Sequence, residues 1–262
     1  MKRPRSSVDE RRLEILKKIQ DQDEIKVEEL AEEFGLSLMT VRRDLQFLES
    51  RQLITRFYGG ATAKLTSRPL TEEEENQMYR QRIAQFSTRF INSGDTLFIN
   101  GSRTALDALS YLQSSNIHVI TNNGAAIGAK YPTNITVTLT GGELRNHVMV
   151  GDYVMRNLLN MTANKTFIGC ASITSQGEFS YNIPMEIGIN EAMISRTTQG
   201  LYILADHTKL QKTGLTENRY GSCSYEGPWT LITDEKADPD IVAELRGMGK
   251  QVYVVGIDDI IS

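Results

Sequence analysis

Apolar residues recur at helical spacing near the start of the chain, where Leu13, Ile15, Leu16 and Ile19 predict a first helix ending near Asp21. Ile25 and Val27 alternate about Lys26, which allows a short strand at most. Leu30, Ala31 and Phe34 line one face of a second short helix. Gly35 stops it, because glycine readily takes the left-handed conformation that ends helices. Ser37 has the side chain of an N-cap, and Val41, Leu45 and Leu48 follow as the buried positions of a third helix. Residues 53–58 then alternate and turn at Gly59 and Gly60 into residues 61–63, a hairpin pattern. Helix, helix, tight turn, helix and ribbon predict an α+β winged helix-turn-helix over residues 1–65.

Residues 66–76 carry Pro69 and four consecutive glutamates without an apolar face, and so predict a linker leading into a helix with Ile83, Phe86, Phe90 and Ile91. The pattern changes over residues 77–262. β-rich runs at 96–99, 117–120, 135–139, 166–171, 201–204, 231–233 and 252–255 alternate with helical stretches. Those helices pass through Leu106, Leu109 and Leu112, and lie around 125–130, 186–196 and 241–248. Short apolar strands separated by helices predict an α/β domain whose mostly parallel sheet is covered on both faces.

An apolar fraction of 40% with 24% charged residues supplies ample core for one or two domains, and excludes a disordered or collagen-like chain. No apolar stretch is long enough to span a bilayer, and the first residues lack the apolar run of a secretory signal. Only Cys170 and Cys223 occur, far apart, which fits a cytoplasmic protein. The net charge of −4 is unevenly spread. Residues 1–18 hold seven basic and three acidic side chains, and residues 21–33 hold seven acids against Lys26. Residues 37–64 hold five basic side chains against Asp44 and Glu49. Two basic patches in an acidic chain point to nucleic acid.

In a helix-turn-helix the second helix enters the major groove with its first residues toward base edges. Here that helix opens on Ser37 and carries Leu38, Met39, Thr40, Arg42 and Arg43 in its first two turns, with residues between Val41 and Leu45 expected to face outward. Thr40 and Arg43, three apart, share a face. An arginine there forks onto guanine O6 and N7 or onto a phosphate. Arg42 and Arg43 point different ways, so one is expected to read bases and the other to hold backbone. Arg56, with Tyr58, Gly59 and Gly60 at the ribbon tip, is placed for a flanking phosphate. The plainer reading of these arginines is a solvated helix surface.

The run Leu30-Ala31-Glu32-Glu33-Phe34-Gly35-Leu36-Ser37, then Thr40-Val41-Arg42-Arg43-Asp44-Leu45, Leu48-Glu49, Leu53-Ile54-Thr55-Arg56 and Gly59-Gly60-Ala61 resembles the DNA-binding signature of DeoR-family bacterial regulators. Tyr58 stands where the family usually has histidine. The resemblance continues through Gly94-Asp95-Thr96-Leu97-Phe98-Ile99-Asn100, Val119-Ile120-Thr121-Asn122-Asn123, Gly141-Gly142-Glu143-Leu144-Arg145 and Leu204-Ala205-Asp206-His207-Thr208-Lys209-Leu210, so it covers nearly the whole chain. It implies an effector-binding sensor domain related in fold to ribose-5-phosphate isomerase and CoA transferases. It also implies a repressor of a carbohydrate-utilisation operon, relieved by a phosphorylated sugar. Double-stranded operator DNA, a homo-oligomer (dimer or tetramer) and no cofactor, metal or membrane go with that reading. The alternatives are a sugar-phosphate isomerase or deaminase with an accessory DNA-binding domain, and an activator of the same architecture.

The effector site is expected at strand ends. The loop after Ile99 offers Asn100, Gly101, Ser102, Arg103 and Thr104, and a second edge offers Thr121, Asn122 and Asn123. Gly142, Arg145 and Lys209 add turn and charge, and Glu186 a hydroxyl acceptor. Against the family pattern, Asn100 replaces an aspartate, Ser102 and Arg103 replace glycine and threonine, and Asn190 replaces a lysine. Neither amide can do acid–base work, which favours a sensor over an enzyme. His118, His147 and His207 are spaced too widely for a metal site, and Cys170 is expected to be buried and inert.

Overall fold

The computed structural model describes residues 5–22, 24–50, 53–57, 59–63, 71–212, 220–224 and 227–257. The chain divides into two compact units, Met1–Glu73 and Glu74–Ser262. Among the described residues no helix is long and apolar enough to cross a membrane.

The first unit runs α1 (Arg5–Gln22), β1 (Glu24–Lys26), α2 (Val27–Glu33), α3 (Leu38–Ser50), β2 (Ile54–Phe57) and β3 (Gly60–Ala63). Ile15 and Ile19 of α1, Leu30 of α2, and Val41 and Leu45 of α3 are completely buried in one cluster. Leu13, expected in that stripe, is 66% exposed, so the apolar face of α1 is narrower than its four aliphatic residues suggest. β3 pairs antiparallel with both β2 and β1, which closes a three-stranded sheet rather than a lone ribbon. Gly60 permits this: a Cβ there would stand 2.6 Å from the Ile25 carbonyl oxygen. Gly35 ends α2 at φ +60°, as its place in the sequence demands.

The second unit begins with α4 (Glu72–Ser87), which starts inside the stretch expected as linker and buries Asn76, Tyr79 and Ile83. There follow β4 (Thr96–Ile99), α5 (Arg103–Asp107), β5 (Ile117–Thr121), β6 (Ile135–Leu139), β7 (Glu143–Arg145), β8 (Val148–Val150) and α6 (Asp152–Leu159). Next come β9 (Ala163–Ile168), β10 (Ser172–Thr174), β11 (Glu178–Tyr181), α7 (Met185–Ser195), β12 (Thr197–Leu204), β13 (Leu210–Gln211), β14 (Tyr220–Ser224), β15 (Thr230–Asp234), α8 (Pro239–Gly247) and β16 (Gln251–Val255). Seven strands form one sheet in the order β16-β15-β12-β9-β4-β5-β6, and every pairing in it is parallel.

Side-chain alternation sorts the sheet's two faces. Leu97, Ile99, Val119, Phe167 and Ile232 face Ile83 of α4 and Leu106 of α5. Phe98 and Ile120 face Val154 of α6 and Met193 of α7, while Ile168, Ile203 and Leu231 face Ile241 and Leu245 of α8. The expected sheet with covered faces is therefore present. A small second sheet, β13-β10-β11-β14, packs Ile173 and Phe179 into the α8 cluster. Two expected segments come out shorter and one is displaced: the helix through Leu112 ends as a 3₁₀ turn at Ala108–Tyr111, residues 125–130 give only the 3₁₀ turn Gly124–Ile127, and β9 begins three residues earlier than expected and stops at Ile168.

Candidate functional site

The outward face of α3 follows from the packing of its inward one. Val41, Asp44, Leu45 and Leu48 are buried, which at helical spacing leaves Met39, Arg42, Arg43 and Gln46 together on the exposed side. Ser37 begins the helix as expected: its Oγ accepts from the backbone N–H of Thr40 at 3.2 Å and lies 2.9 Å from the Thr40 hydroxyl. Gln46, three residues beyond Arg43, is the member of this face that the motif reading passed over.

One expectation for this helix is overturned. Asp44 lies between Val41 and Leu45 yet is 1% exposed, held by Arg11 at 2.8 Å and Arg12 at 2.9 Å. The Arg12 guanidinium also lies 3.9 Å over the Phe47 ring. Two cations of the first basic patch are thus committed to joining α1 and α3. Arg56 is exposed on β2 and pairs with Glu49 at 3.6 Å. Gly59 takes φ +92° at the ribbon turn, and Tyr58 lies outside the described residues.

In the second unit the sheet order itself marks a place. The strands lead from β4 outward to β5 and β6 on one side, and from β9 to β12, β15 and β16 on the other. The order reverses between β4 and β9, and open α/β sheets bind ligands at the carboxyl ends of strands beside such a reversal. Asn100, which follows β4, reaches across to Gly169, which follows β9. Its Oδ1 accepts from the Gly169 and Ser102 N–H groups, both at 3.1 Å, and its Nδ2 donates to the Gly169 carbonyl at 2.9 Å and to Asn190 Oδ1 at 2.8 Å. The Asn190 amide donates to the Glu186 carbonyl at 2.7 Å. Asn100 and Asn190 are 2% and 1% exposed, so this network forms the floor of the strand-end site.

Above the floor, Gly101 admits no side chain: a Cβ would stand 2.6 Å from Val148 and 3.0 Å from Glu186 Oε1. Burial pushes the half-buried Glu186 carboxyl up, against an opposing hydrogen bond from the Ile183 backbone. Ser102 caps α5 by accepting from the Ala105 N–H at 3.2 Å, and its carbonyl accepts from Asn123 Nδ2 at 3.2 Å. The expected residues Asn100, Gly101, Ser102, Asn123 and Glu186 therefore meet in one place.

The remaining expected residues divide between structure and surface. Thr104, Thr121 and Asn122 are buried; Thr121 Oγ1 accepts from the Asn123 N–H at 3.0 Å, and Asn122 Nδ2 donates to the Met149 carbonyl at 3.1 Å. Asn122 Oδ1 has no hydrogen-bond partner among the described residues. Arg103 is exposed at the start of α5, and burial pushes the nearby Asp107 carboxyl up against the smaller opposing pull of the Arg103 charge. Gly142 turns at φ +106° into a hairpin on which exposed Arg145 pairs with Glu143 at 2.8 Å. Lys209 lies half-buried in the loop after β12, on the same edge of the sheet as Asn100. Cys170 is half-buried rather than buried, and His118 bonds Thr138 at 2.8 Å between adjacent strands.

Comparison with known proteins relates both parts of the chain to one family. Residues 11–66 match the DeoR-like helix-turn-helix domain, and residues 75–235 match the DeoR C terminal sensor domain. The chain is 29% identical over 257 residues to the uncharacterized HTH-type transcriptional regulator YulB of Bacillus subtilis, covering 95% of this chain and 97% of that one. It is 29% identical to the glycerol-3-phosphate regulon repressor of Escherichia coli, over 77% of this chain and 82% of that one. It is 28% identical to the lactose phosphotransferase system repressor of Lactococcus lactis, over 89% and 94%. Among solved structures, ribose 5-phosphate isomerase A from Methanocaldococcus jannaschii aligns with a TM-score of 0.39 and 12% identity, over 52% of this chain and 56% of that one.

Proposed function

Given that the chain belongs to the DeoR family of DNA-binding transcriptional regulators, we propose that it represses a carbohydrate-utilisation operon and releases its operator when a phosphorylated sugar binds the sensor unit. The observation that carries this reading is the strand-end cluster of Asn100, Gly101, Ser102, Asn123 and Glu186 at the reversal of strand order. Arg103 and Lys209 stand on the same sheet edge as cations for a phosphate, and Glu186 accepts from sugar hydroxyls. The names of two relatives point the same way, one to a glycerol-3-phosphate regulon and one to a lactose phosphotransferase system.

Repression is linkage between two sites. A ligand that favours a conformation poor in operator binding lowers operator affinity by the ratio of its affinities for the two conformations. The protein works in the cytoplasm as a homo-oligomer, because one helix-turn-helix reads few base pairs and a symmetric pair reads two half-sites. It is a sensor rather than an isomerase: the floor residues Asn100 and Asn190 are amides, and amides neither take nor give protons in catalysis.

The test is a gel shift on operator DNA at fixed salt with a panel of sugar phosphates. Release by one compound is expected. Binding that no compound alters would overturn the sugar-phosphate half of the reading, and turnover of a pentose or hexosamine phosphate would replace it with the enzyme.

A further inference from the structure

The loop that carries Lys209 is fastened to α4 through two buried carboxylates. Asp206, 3% exposed, uses Oδ1 to hold its own turn, accepting from the Thr208 N–H at 3.0 Å and from the Thr208 hydroxyl. Its Oδ2 accepts from Nε of Arg80 on α4 at 3.0 Å. Asp234, completely buried at the end of β15, accepts from the His207 N–H at 2.7 Å and pairs with His207 Nδ1 at 2.9 Å. The His207 ring meets the Tyr79 ring edge-on with centroids 5.7 Å apart, and the Tyr79 hydroxyl donates to Glu235 at 3.2 Å. One turn earlier on the helix, Glu75 pairs with Lys236 at 2.5 Å. Glu75 and Tyr79, four apart, share a face of α4 with the neighbouring Arg80 beside it, and together the three hold the strand-end loops of both β12 and β15.

The same helix is where the DNA-binding unit joins the sensor. The first unit ends at Glu73, and α4 begins at Glu72. A displacement of the loop after β12 therefore bears on the helix that follows the DNA-binding unit in the chain. A buried carboxylate with a guanidinium partner also favours discrete arrangements over gradual drift, because parting the two leaves Asp206 buried without its cation.

We infer that Arg80 and Asp206 are a positioning pair that couples the sensor loop to operator binding. The inference rests on Lys209 belonging to the proposed effector site; neither Arg80 nor Asp206 needs to touch effector or DNA.

The test needs no effector. Operator duplexes are selected from a random DNA pool with the full chain, and ligand-free Kd is measured for wild type, Arg80→Ala, Asp206→Asn and the double variant. Each single change should shift Kd about fivefold or more. The double variant should shift it no further than the larger single, since both remove one lever, and Arg80→Lys should recover part of the effect. Asp95→Asn is the control for lost stability. It breaks the buried Asp95–Lys165 pair (2.6 Å), which lies at the opposite, amino ends of β4 and β9, and should lower the melting temperature without moving Kd. Wild-type Kd in both Arg80→Ala and Asp206→Asn would overturn the coupling, as would an equal shift in Asp95→Asn. Failure of the sugar-phosphate reading has a separate signature: wild-type operator binding that no sugar phosphate changes.

Discussion

Arg43 and Asn100 are both polar residues that motif reading assigns to ligands, and the structure uses them in opposite ways. Arg43 is exposed on α3, free to fork onto a base or a phosphate. Arg43→Ala should cost about 1–3 kcal/mol of operator binding, measured by titration against selected DNA. A loss confined to one base pair marks a base contact, and a loss uniform across sequences marks a phosphate contact. Asn100 is spent inside the protein, bonded to Gly169, Ser102 and Asn190. Asn100 and Asn190, the two buried amides of the floor, thus bond to each other. Asn100→Asp would set a carboxylate oxygen against the Gly169 carbonyl and should cost about 2–4 kcal/mol in urea unfolding, with part restored by adding Asn190→Lys. Glu186 adds a pH signature. Its folded-state pKa is raised by burial, so the native state binds the proton more tightly and loses stability as pH climbs above the ordinary glutamate range. Glu186→Gln should therefore gain on the wild type at neutral pH and converge with it in acid, as melting across a pH series would reveal.

Elements were legible where a local rule settled them. The Ser37 cap, the buried positions Val41, Leu45 and Leu48, and the stop at Gly35 place α3 and its neighbour without tertiary information. Asp44 was not legible, because no spacing rule shows that a charged residue between two core positions will be buried by arginines 32 and 33 residues away. Leu13 fails for the converse reason: helical spacing allows it inward, and packing leaves it out. The four-stranded second sheet was also missed, since β10, β11 and β14 are rich in serine and short, with little apolar pattern. Asp44→Ala should destabilise the first unit by about 3 kcal/mol, because Arg11 and Arg12 lose the charge that holds α1 on α3. Thermal unfolding would register this. Operator affinity should fall with it even though Asp44 is too deeply buried to reach DNA.

At the scale of the whole molecule, the sheet supplies what the sequence could only suggest. Runs of β-forming residues indicated a parallel sheet, but strand order is a long-range property, and the reversal between β4 and β9 is what singles out Asn100 and Gly169 among several polar strand ends. In the proposed function this strand-end site and the α3 face are linked. If so, a sugar phosphate that weakens operator binding by some factor must itself be bound more weakly, by that same factor, when operator is present. The direct measurement is a pair of titrations on the full chain at one salt concentration. Labelled operator is followed by anisotropy with and without saturating sugar phosphate, and the sugar phosphate is followed by calorimetry with and without operator. Two equal factors of about 5–150 are expected. A sugar phosphate that binds free and operator-bound protein equally tightly would contradict it.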